Sequence, residues 1–485
     1  MKILFVIAHV FYNEPLGAMI LSGVCRKAGH TTRLAVLDQK NLPAVLNSFD
    51  PDLVAYSTMS ADLGAFAQAD RMVSSWTNSL GRRPARIMGG PHPTYFPQVL
   101  DDLGLNAICI GDGDRAMMRI VDALAAGRTL DGIPNILTPS HRSPAKEVIE
   151  DLDSIPFADR ALFYDAAPDM LRQGIRSFLT QRGCPFKCTY CFNHAFNTMF
   201  KGEGRKLLRR RSIDNLFEEI KQVQGAWPTL RYIRFADDVF VIKKDEWLEE
   251  FAERYPKEIG IPFYCLIRAN NLTEDIAELL FKSGCRSIAM SIESGIDHIR
   301  NLVLKRNMSD DLMLESFRLA QRYGLNAFAN TILGLPGTSL DDDFRSYQFA
   351  KRLNPAAPTF SIFCPYPGTE LTDYALKKGV LDPAINFSDV NYWTTSVLTN
   401  YTPDEKHQMY RLMKLAPIFC KLPSSWDGFL RLLIRLPLTP VYSVIGTIFH
   451  VYLLGGKIFP KAIPHNPFNL VKEILRSISY ILHKA

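Results

Sequence analysis

Short apolar runs alternate with stretches of helical periodicity twice along this chain of 485 residues, and that pattern constrains the fold more than any other feature. In residues 1–140 the apolar runs are five in number, and each is short enough to be a buried strand. Alternation of this kind predicts a parallel sheet with helices on both faces. We therefore expect a doubly wound, Rossmann-like α/β domain. The five runs read KILFVIAHV, TTRLAVLD, DLVAYSTM, ARIMGG and AICIGDG.

Small residues stand where several of these runs end. Ligands of open α/β sheets bind beyond the carboxyl ends of the strands, where glycine lets the backbone approach closely. Ordinary strand-to-helix turns explain the same residues equally well, so both interpretations stay open on this observation alone. The residues are Ser57, Thr58, Gly89, Gly90, Gly111 and Gly113.

The second alternating stretch covers residues 171–375, after a segment at 141–170 that is rich in Pro and Asp and that we interpret as a linker. Six strand–helix units predict a partial (β/α)6 barrel of the TIM type. The active site of such a barrel lies at the carboxyl ends of its strands. Polar candidates follow the first four predicted strands in turn, namely Cys184, Asp237 with Asp238, Arg268, and Glu293.

Strand patterns stop in residues 376–485, where we expect a mainly α-helical C-terminal region. Residues 436–454 contain no charged side chain, a length that would just span a bilayer. Pro437, Pro440 and Gly446 interrupt this run, which favours a helix at a membrane surface or a helix packed on the barrel. The sequence leaves these two alternatives open.

The charge of the chain is concentrated at its C-terminal end. Eight basic and two acidic residues lie in 421–485, and this excess equals the net charge of +6 for the whole chain. The first 420 residues are therefore balanced, which argues against a nucleic-acid groove across the main body. The basic excess favours a peripheral membrane contact through 421–485.

The nine cysteines include a group of three within eight residues: Cys184, Cys188 and Cys191. The odd total and the scatter of the other six argue against disulfides and favour a cytoplasmic protein. Thiolates are soft ligands for zinc, copper(I) or iron–sulfur clusters. A structural zinc ion takes four protein ligands, and no second cysteine pair lies nearby. Three cysteines therefore indicate an iron–sulfur cluster with one iron open to a small molecule.

The C-x3-C-x2-C spacing, with Tyr190 before the last cysteine and a predicted barrel strand before the first, resembles the radical S-adenosylmethionine (SAM) superfamily. The resemblance implies a 4Fe–4S cluster held by the three cysteines, with SAM chelating the open iron. An electron, supplied by flavodoxin or ferredoxin, cleaves SAM to methionine and a 5′-deoxyadenosyl radical. That radical removes hydrogen from an unactivated carbon.

The N-terminal segments EPLG (14–17), DPDLVAYSTMS (50–60), GGPHPTYFP (89–97) and ICIGDGD (108–114) resemble the cobalamin-binding domain fused to many radical SAM enzymes. With RFADDVF, SIESG, LKR and ILGLPG, the resemblance spans about residues 1–375. It implies that cobalamin is bound through Glu14, Ser57, Thr58, Met59, Gly89, Gly90, His92, Gly111 and Gly113.

One motif departs from the pattern of cobalamin proteins. Asp38-Gln39-Lys40 lacks the His of D-x-H-x-x-G that binds cobalt from below. We therefore expect base-off cobalamin without a His ligand. His92 is expected to be a hydrogen-bonding loop residue, with direct cobalt ligation as the alternative.

The resemblance also implies roles around SAM. Tyr190 and Phe192 would line the adenine side, Arg268 would pair with the carboxylate, and Ser291 with Glu293 would contact ribose and methionine. The turn from Gly334 to Gly337 would let adenine lie against the backbone. Where many relatives have Gly-Gly-Glu, this chain has Ala236-Asp237-Asp238, so either Asp237 or Asp238 would take the amino-group role or face the substrate. The expected catalytic residues are Asp237, Asp238 and Glu293.

The combined resemblance implies a cobalamin-dependent radical SAM methyltransferase acting on an unactivated carbon of an apolar small molecule, such as an isoprenoid lipid or a tetrapyrrole. A second SAM would remethylate the cobalt. The alternative is a cyclase or oxidative enzyme with the same cofactors and no methyl transfer, of the anaerobic magnesium-porphyrin ester cyclase type. A cofactor-binding sensor without turnover is the third hypothesis.

Overall fold

A computed structural model describes residues 1–10, 14–202, 206–385 and 395–459. These residues form two compact units. The first comprises Met1–Arg172 with Phe196–Arg211, and the second comprises Gln173–Ala195 with the described residues from Ser212 onward.

The first unit is built on a six-stranded sheet in the order β2-β1-β3-β4-β5-β6, in which five strands are parallel and β6 is antiparallel to β5. Five of the six residues of β1 are buried, as expected for a strand covered on both faces. The strands are β1 Lys2–Ile7, β2 Thr31–Val36, β3 Leu53–Ser57, β4 Ala85–Gly89, β5 Ala107–Cys109 and β6 Ile136–Leu137. The helices are α1 Leu16–Lys27, α2 Leu42–Phe49, α3 Leu63–Ser75, α4 Pro91–Tyr95, α5 Val99–Asp102, α6 Asp114–Ala125 and α7 Arg160–Ala166.

The doubly wound α/β prediction is confirmed, because the five predicted runs are the five parallel strands. The sixth strand was not predicted, since two residues are too few to show a period. The stretch YFPQVLDDLG, residues 95–104 between the fourth and fifth runs, has helical periodicity that predicts one helix, but it contains only the short α5 and the last residue of α4.

Residues 141–170, interpreted above as a linker, pack within the first unit. Asp159 caps α7 by accepting from the Leu162 amide at 3.4 Å, and it also accepts from Ser22 Oγ of α1 at 2.6 Å. A side chain at Gly23 would overlap the carbonyl of Phe157. Glycine at this position therefore permits the close approach of the segment to α1. The domain boundaries at 140 and 170 stay predictions.

The second unit contains a sheet of six parallel strands in the order β14-β13-β12-β11-β10-β7. The strand order follows the chain, as in a partial (β/α)6 barrel, and the predicted architecture is confirmed. The six strands are β7 Ile175–Phe178, β10 Tyr232–Phe235, β11 Phe263–Leu266, β12 Cys285–Ala289, β13 Asn326–Leu333 and β14 Ala357–Ile362. Two further short strands lie outside this sheet, β8 Gln181–Arg182 in the second unit and β9 Arg209–Arg210 in the first. The helices of this part of the chain are α8 Phe192–Met199, α9 Ile213–Ala226, α10 Glu246–Glu258, α11 Glu274–Lys282, α12 Asp310–Arg322 and α13 Leu340–Leu353.

The barrel helices begin at residues that cap the free amide groups of a first helical turn. Each cap accepts a hydrogen bond from an amide three residues ahead, and the last cap forms a reciprocal capping box with Asp342. Local sequence therefore fixes where these helices start. The caps of α9 to α13 are Ser212, Asp245, Thr273, Ser309 and Ser339.

The C-terminal region is helical, as predicted, with α14 Glu370–Lys377, α15 Pro403–Phe419, α16 Asp427–Leu433 and α17 Thr439–Leu453. Helix α15 packs against β14 and α17. A side chain at Gly446 would lie 2.6 Å from the Lys414 carbonyl, so glycine allows α17 to approach α15 closely. Arg411 of α15 also donates from Nε to Thr439 Oγ1 at 2.9 Å.

The chain beyond α17 fills the barrel where its strands begin. Ile458 belongs to a buried cluster with Tyr232 and Ala357, the first residues of β10 and β14. The Ile458 carbonyl accepts from Ser287 Oγ at 2.6 Å, and the Phe459 ring lies 5.9 Å from that of Tyr232. The C-terminal segment thus packs at the amino end of the barrel, opposite to the end at which the predicted site residues lie.

We expect Ile458→Ala to lower the free energy of unfolding by about 2–5 kcal/mol, because it empties a buried, well-packed volume. The midpoint of urea unfolding, followed by circular dichroism, measures the effect. The control is Val441→Ala on the exposed face of α17, which should change stability by less than about 0.5 kcal/mol. Equal effects of the two substitutions would contradict the packing role of Ile458.

Candidate active site

The three cysteines lie in the loop between β8 and α8, beyond the carboxyl end of the first barrel strand, β7. Gly183, with φ of 93°, makes the turn that begins the loop, and the Cys191 amide donates to the Cys188 carbonyl at 3.1 Å. Thr189 anchors the loop through Oγ1, which donates to the Val303 carbonyl at 2.8 Å. The motif is therefore held by a segment more than a hundred residues further along the chain.

Burial raises the pKa of Cys184 to about 11 and that of Cys191 to about 12. A negative charge on Cys188 would also raise the pKa of Cys184 and that of Cys191, because the three sulfur atoms lie within electrostatic range of one another. These two thiols are protonated near neutral pH, so binding of iron must release protons. Among the described residues, no three His, Cys, Asp or Glu side chains are close enough together to bind a single metal ion.

Arg268 brings positive charge to the cysteine loop. Its Nη1 donates to Cys188 Sγ at 3.1 Å and its Nη2 donates to the Arg306 carbonyl at 2.7 Å. The guanidinium lies over the Phe186 ring, 3.8 Å from its centroid. A cation in contact with a cysteine sulfur favours anionic ligands beside it, which is consistent with the SAM carboxylate role that stays a prediction for Arg268.

Glu293, Tyr190 and Arg306 form a buried network beside this loop. Tyr190 Oη donates to Glu293 Oε1 at 2.8 Å and accepts from Arg306 Nη1 at 2.9 Å. Burial raises the pKa of Tyr190, so its hydroxyl keeps the proton that it donates. Glu293 has φ of 64°, a strained conformation for a residue other than glycine, and it bridges to Thr331 of β13. The surroundings thus hold this carboxylate in a fixed place.

The two adjacent acids after β10 have different surroundings. Asp237 is buried, and its carboxylate accepts from the Thr180 amide at 2.8 Å, from Thr180 Oγ1 at 2.8 Å and from the Gln181 amide at 3.0 Å. Burial raises its pKa to about 7 even though these donors favour the ionised form. Asp237 therefore ties the end of β10 to the chain after β7. Asp238 is exposed, and its charge raises the pKa of Cys184 and Cys191.

The remaining residues predicted to contact SAM also differ in how closely other protein atoms surround them. The Phe192 ring lies 4.8 Å from Tyr366, beside the loop that follows β14. Ser291 lies two residues beyond the end of β12, and its carbonyl accepts from Arg306 Nη2 at 2.8 Å. A side chain at Gly334 would come within 2.8 Å of Met409 Sδ, so protein covers this glycine, whereas at Gly337 the nearest atom is 3.5 Å away. The adenine contact is thus better supported at Gly337.

Arg306 was missed as a site residue by the sequence reasoning. It is buried and binds Tyr190, the Ser291 carbonyl and, through its own carbonyl, Arg268. Its Nε is buried without a hydrogen-bond partner among the described residues. The LKR segment that contains it is part of the family resemblance, but nothing in the sequence gives this arginine a role.

In the first unit, the loops after β3 and β4 are joined at Thr58. Its amide donates to the Gly89 carbonyl at 2.9 Å, and its carbonyl accepts from the His92 amide at 3.0 Å. Gly90 has φ of 101°, and a side chain there would lie 2.9 Å from the Thr58 carbonyl oxygen. Thr58 Oγ1 is buried without a partner in the part of the chain that the structure describes. A glycine cradle with an unpaired hydroxyl at strand ends fits cobalamin binding.

His92 is buried, and its ring stacks on Phe96 at 4.7 Å while Nδ1 lies 3.1 Å from Ser60 Oγ. Burial lowers the pKa of His92 to about 4, so the ring is neutral near pH 7. These contacts are consistent with the hydrogen-bonding role expected for His92, which stays a prediction, although the residue lies in α4 and not in a loop.

The other residues predicted to bind cobalamin differ in whether protein contacts already occupy them. Glu14 is buried and accepts from Arg160 Nη1 at 2.7 Å and Tyr164 Oη at 2.6 Å, which favours a structural role. The Phe200 ring covers Gly111, so this glycine serves packing within the unit. Near the ends of β3, β4 and β5, four predicted residues have room for a ligand as far as the described residues show: Ser57 and Met59 are exposed, and a side chain at Gly89 or Gly113 would make only ordinary contacts, at 3.6 Å or more.

We expect Gly90→Ala to weaken cobalamin binding at least about tenfold, because the new methyl group collides with Thr58 and the backbone conformation is strained. A spectroscopic titration with hydroxocobalamin measures this affinity. The matched control is Gly81→Ala, at a glycine with φ of 69° and no atom within 4 Å of the new methyl group. Unchanged affinity in Gly90→Ala would remove these loops from the cobalamin site.

Comparisons with known proteins bear on both units. Residues 4–121 match the B12 binding domain, and residues 178–350 match the radical SAM superfamily. An uncharacterized methyltransferase of Pyrococcus horikoshii is 26% identical over 386 residues, covering 76% of this chain and 80% of that protein. The anaerobic magnesium-protoporphyrin IX monomethyl ester cyclase of Rubrivivax gelatinosus is 23% identical, and the match covers 74% of this chain and 65% of that enzyme. The hopanoid C-3 methylase of Methylococcus capsulatus is also 23% identical, and the match covers 74% of this chain and 68% of that enzyme.

The fold has a counterpart among solved structures. The radical SAM methyltransferase TsrM from Kitasatospora setae, solved with cobalamin and a 4Fe–4S cluster, aligns with a TM-score of 0.63 at 14% identity, covering 78% of this chain and 74% of that one. The order of units, the three-cysteine loop and the two family matches agree with one another. The chain belongs to the radical SAM enzymes that carry a B12-binding domain, whose cofactors are a 4Fe–4S cluster, SAM and cobalamin.

Proposed function

We propose that the enzyme transfers a methyl group to an unactivated carbon of an apolar small molecule, an isoprenoid lipid or a tetrapyrrole. The observation that carries this proposal is the convergence of Cys188, Arg268, Arg306 and Glu293 at the carboxyl end of a barrel in a chain that also has a B12-binding domain. When bound, the cluster and SAM supply a carbon-centred radical, and cobalamin supplies the methyl group.

The residues of the chain have separate tasks in this proposal. Cys184, Cys188 and Cys191 hold the cluster, and Arg268 holds the SAM carboxylate beside it. Glu293 takes the positively charged part of SAM, and Tyr190 with Arg306 fixes its position. Asp238, the exposed acid near the cysteines, is left to contact the amino group of SAM or the substrate. Asp237 is a positioning residue.

The substrate class is supported by two relatives, which are named for a tetrapyrrole ester and for a hopanoid. The same two names give the two reaction types, because one enzyme is a cyclase and the other is a methylase. Both reactions begin with removal of hydrogen from carbon and differ in what the substrate radical receives. A cyclase or oxidative enzyme is therefore the second candidate function.

Anaerobic protein reconstituted with iron, sulfide and hydroxocobalamin separates these functions. It is incubated with dithionite, SAM carrying a deuterated methyl group, and either an isoprenoid lipid extract or magnesium-protoporphyrin ester. We expect 5′-deoxyadenosine and a product that gains the deuterated methyl group. Deoxyadenosine with an unlabelled, oxidised product would support the cyclase type. Absence of deoxyadenosine with every substrate would favour the sensor hypothesis and overturn both enzyme proposals.

A further inference from the structure

The C-terminal helices α16 and α17 expose many large apolar side chains, and we call this set of residues the α16–α17 face. Along α17 its residues recur at the spacing of one helical face and are 42–59% exposed. They are Val441, Val444, Ile445, Ile448 and Tyr452. On and beside α16 the exposed residues are Trp426, Phe429, Leu432, Leu436 and Leu438. Soluble proteins rarely expose contiguous apolar patches of this kind without a partner.

The opposite face of α17 is committed to the protein. Tyr442, Gly446, Thr447 and Val451 are buried, and the Tyr410 and Ser443 hydroxyls are 3.0 Å apart between α15 and α17. By length and composition alone, Thr439–Ile458 is apolar enough to cross a membrane, but a third of this segment is buried within the protein. A helix with one face packed on its own domain fits a position along a bilayer surface, not one through it.

The charges around the apolar face match an anionic surface. Arg435 and Lys457 are exposed and have no ion-pair partner among the described residues. After Asp427 the sequence contains seven basic residues and one acid, Glu473. In the described part of the chain, Arg435 and Lys457 therefore add positive charge without an ionic partner to the segment that carries the apolar face.

The aromatic residues add a third observation. Trp426 is 47% and Tyr452 59% exposed, and both lie on the α16–α17 face. Indole and phenol rings favour the boundary between water and hydrocarbon, because each combines an apolar body with a polar group. Single exposed aliphatic side chains need no explanation, but an apolar face that combines such aromatic residues with basic neighbours has the composition of an interfacial helix.

We propose that the α16–α17 face docks the enzyme on the surface of a bilayer that contains anionic lipids. The apolar stripe enters the headgroup region and the basic residues contact the lipid phosphates. This inference goes beyond the proposed function and does not depend on it, because surface binding requires no turnover. It gives the enzyme direct access to lipid-dissolved molecules.

Flotation of the full-length, reconstituted protein with vesicles tests the proposal. We expect binding to vesicles of equal parts phosphatidylglycerol and phosphatidylcholine, and much weaker binding to phosphatidylcholine alone. The double variant Ile445→Glu with Ile448→Glu should lower partitioning by roughly thirtyfold. The matched control places glutamate at Leu80 and Phe281, which are 71% and 48% exposed elsewhere on the surface, and should bind as the wild type does.

A second variant tests the charges without altering the apolar face. Arg435→Gln with Lys457→Gln should weaken binding to the anionic vesicles by about fivefold for each charge removed. Sedimentation velocity accompanies every sample. Absence of vesicle binding by the wild type would overturn the proposal. A dimer that the two glutamates dissociate, with no vesicle binding, would also overturn it and would assign the face to a second copy of the chain.

Discussion

Replacing Cys188 with alanine is expected to abolish the 4Fe–4S cluster and to reduce formation of 5′-deoxyadenosine to the rate without enzyme. Two thiolates cannot hold three irons of a cubane in place, so neither the electron nor the site for SAM is available. Cys188 also accepts the hydrogen bond from Arg268 at 3.1 Å, so the same change releases that guanidinium. Iron and sulfide content, the paramagnetic resonance signal after reduction, and deoxyadenosine are measured on anaerobic protein.

The matched control is Cys420→Ala, which removes a buried cysteine next to the end of α15 in the same unit. We expect this variant to retain iron, sulfide and activity, although the loss of a small buried side chain costs some stability. If the Cys188 variant kept a full cluster and normal deoxyadenosine formation, the ligand assignment would be wrong. If both variants lost the cluster, the effect would reflect general instability.

Glu293→Gln is expected to lower deoxyadenosine formation by about a hundredfold while leaving the cluster in place. Glutamine keeps the size of the side chain and its bond from Tyr190, but it removes the negative charge that lies 3.7 Å from Arg306. Without that charge, buried Arg306 has no ionic partner among the described residues, and the positively charged groups of SAM lose their attraction to this side of the site. Single-turnover kinetics and SAM binding measure the two consequences separately.

Glu370→Gln provides the control for this change of charge. Glu370 pairs with Lys305 at 2.5 Å and with His194 at 2.8 Å. These two partners are close in sequence to Arg306 and to the cysteine loop, but the Glu370 side chain is exposed. Solvent screens such a pair, so activity should change by less than about threefold. Equal losses in the two variants would mean that the effect of Glu293 comes from net charge and not from its position.

Some parts of the fold and site were predictable because the information lies in adjacent residues. The five parallel strands of the first unit appear as apolar runs, since strands covered on both faces need continuous hydrophobicity, and the six barrel strands follow from their alternation with helical stretches. The three cysteines are a local motif in one loop. The helix caps, such as Ser309 before α12, are likewise local.

Adjacent residues with the same chemistry could not be separated in advance. Asp237 and Asp238 have the same side chain and adjacent positions, so the sequence does not distinguish them. In the structure Asp237 is buried and accepts three hydrogen bonds from Thr180 and Gln181, whereas Asp238 is exposed. Which side chain turns inward depends on how β10 ends beside β7. Gly334 and Gly337 differ in the same way, because α15 brings Met409 against only one of them.

By itself, the sequence determined what is encoded at short range: two α/β units in order, a cysteine loop after the first barrel strand, and an apolar, basic C-terminal region. Only the tertiary structure decided which distant groups meet. It brought Arg306 to Tyr190 and Ser291, placed Ile458 where the barrel strands begin, and divided α17 into a packed face and an exposed face. The physical reason is that periodicity and motifs report local conformation, whereas contacts between distant residues depend on the packing of the whole unit.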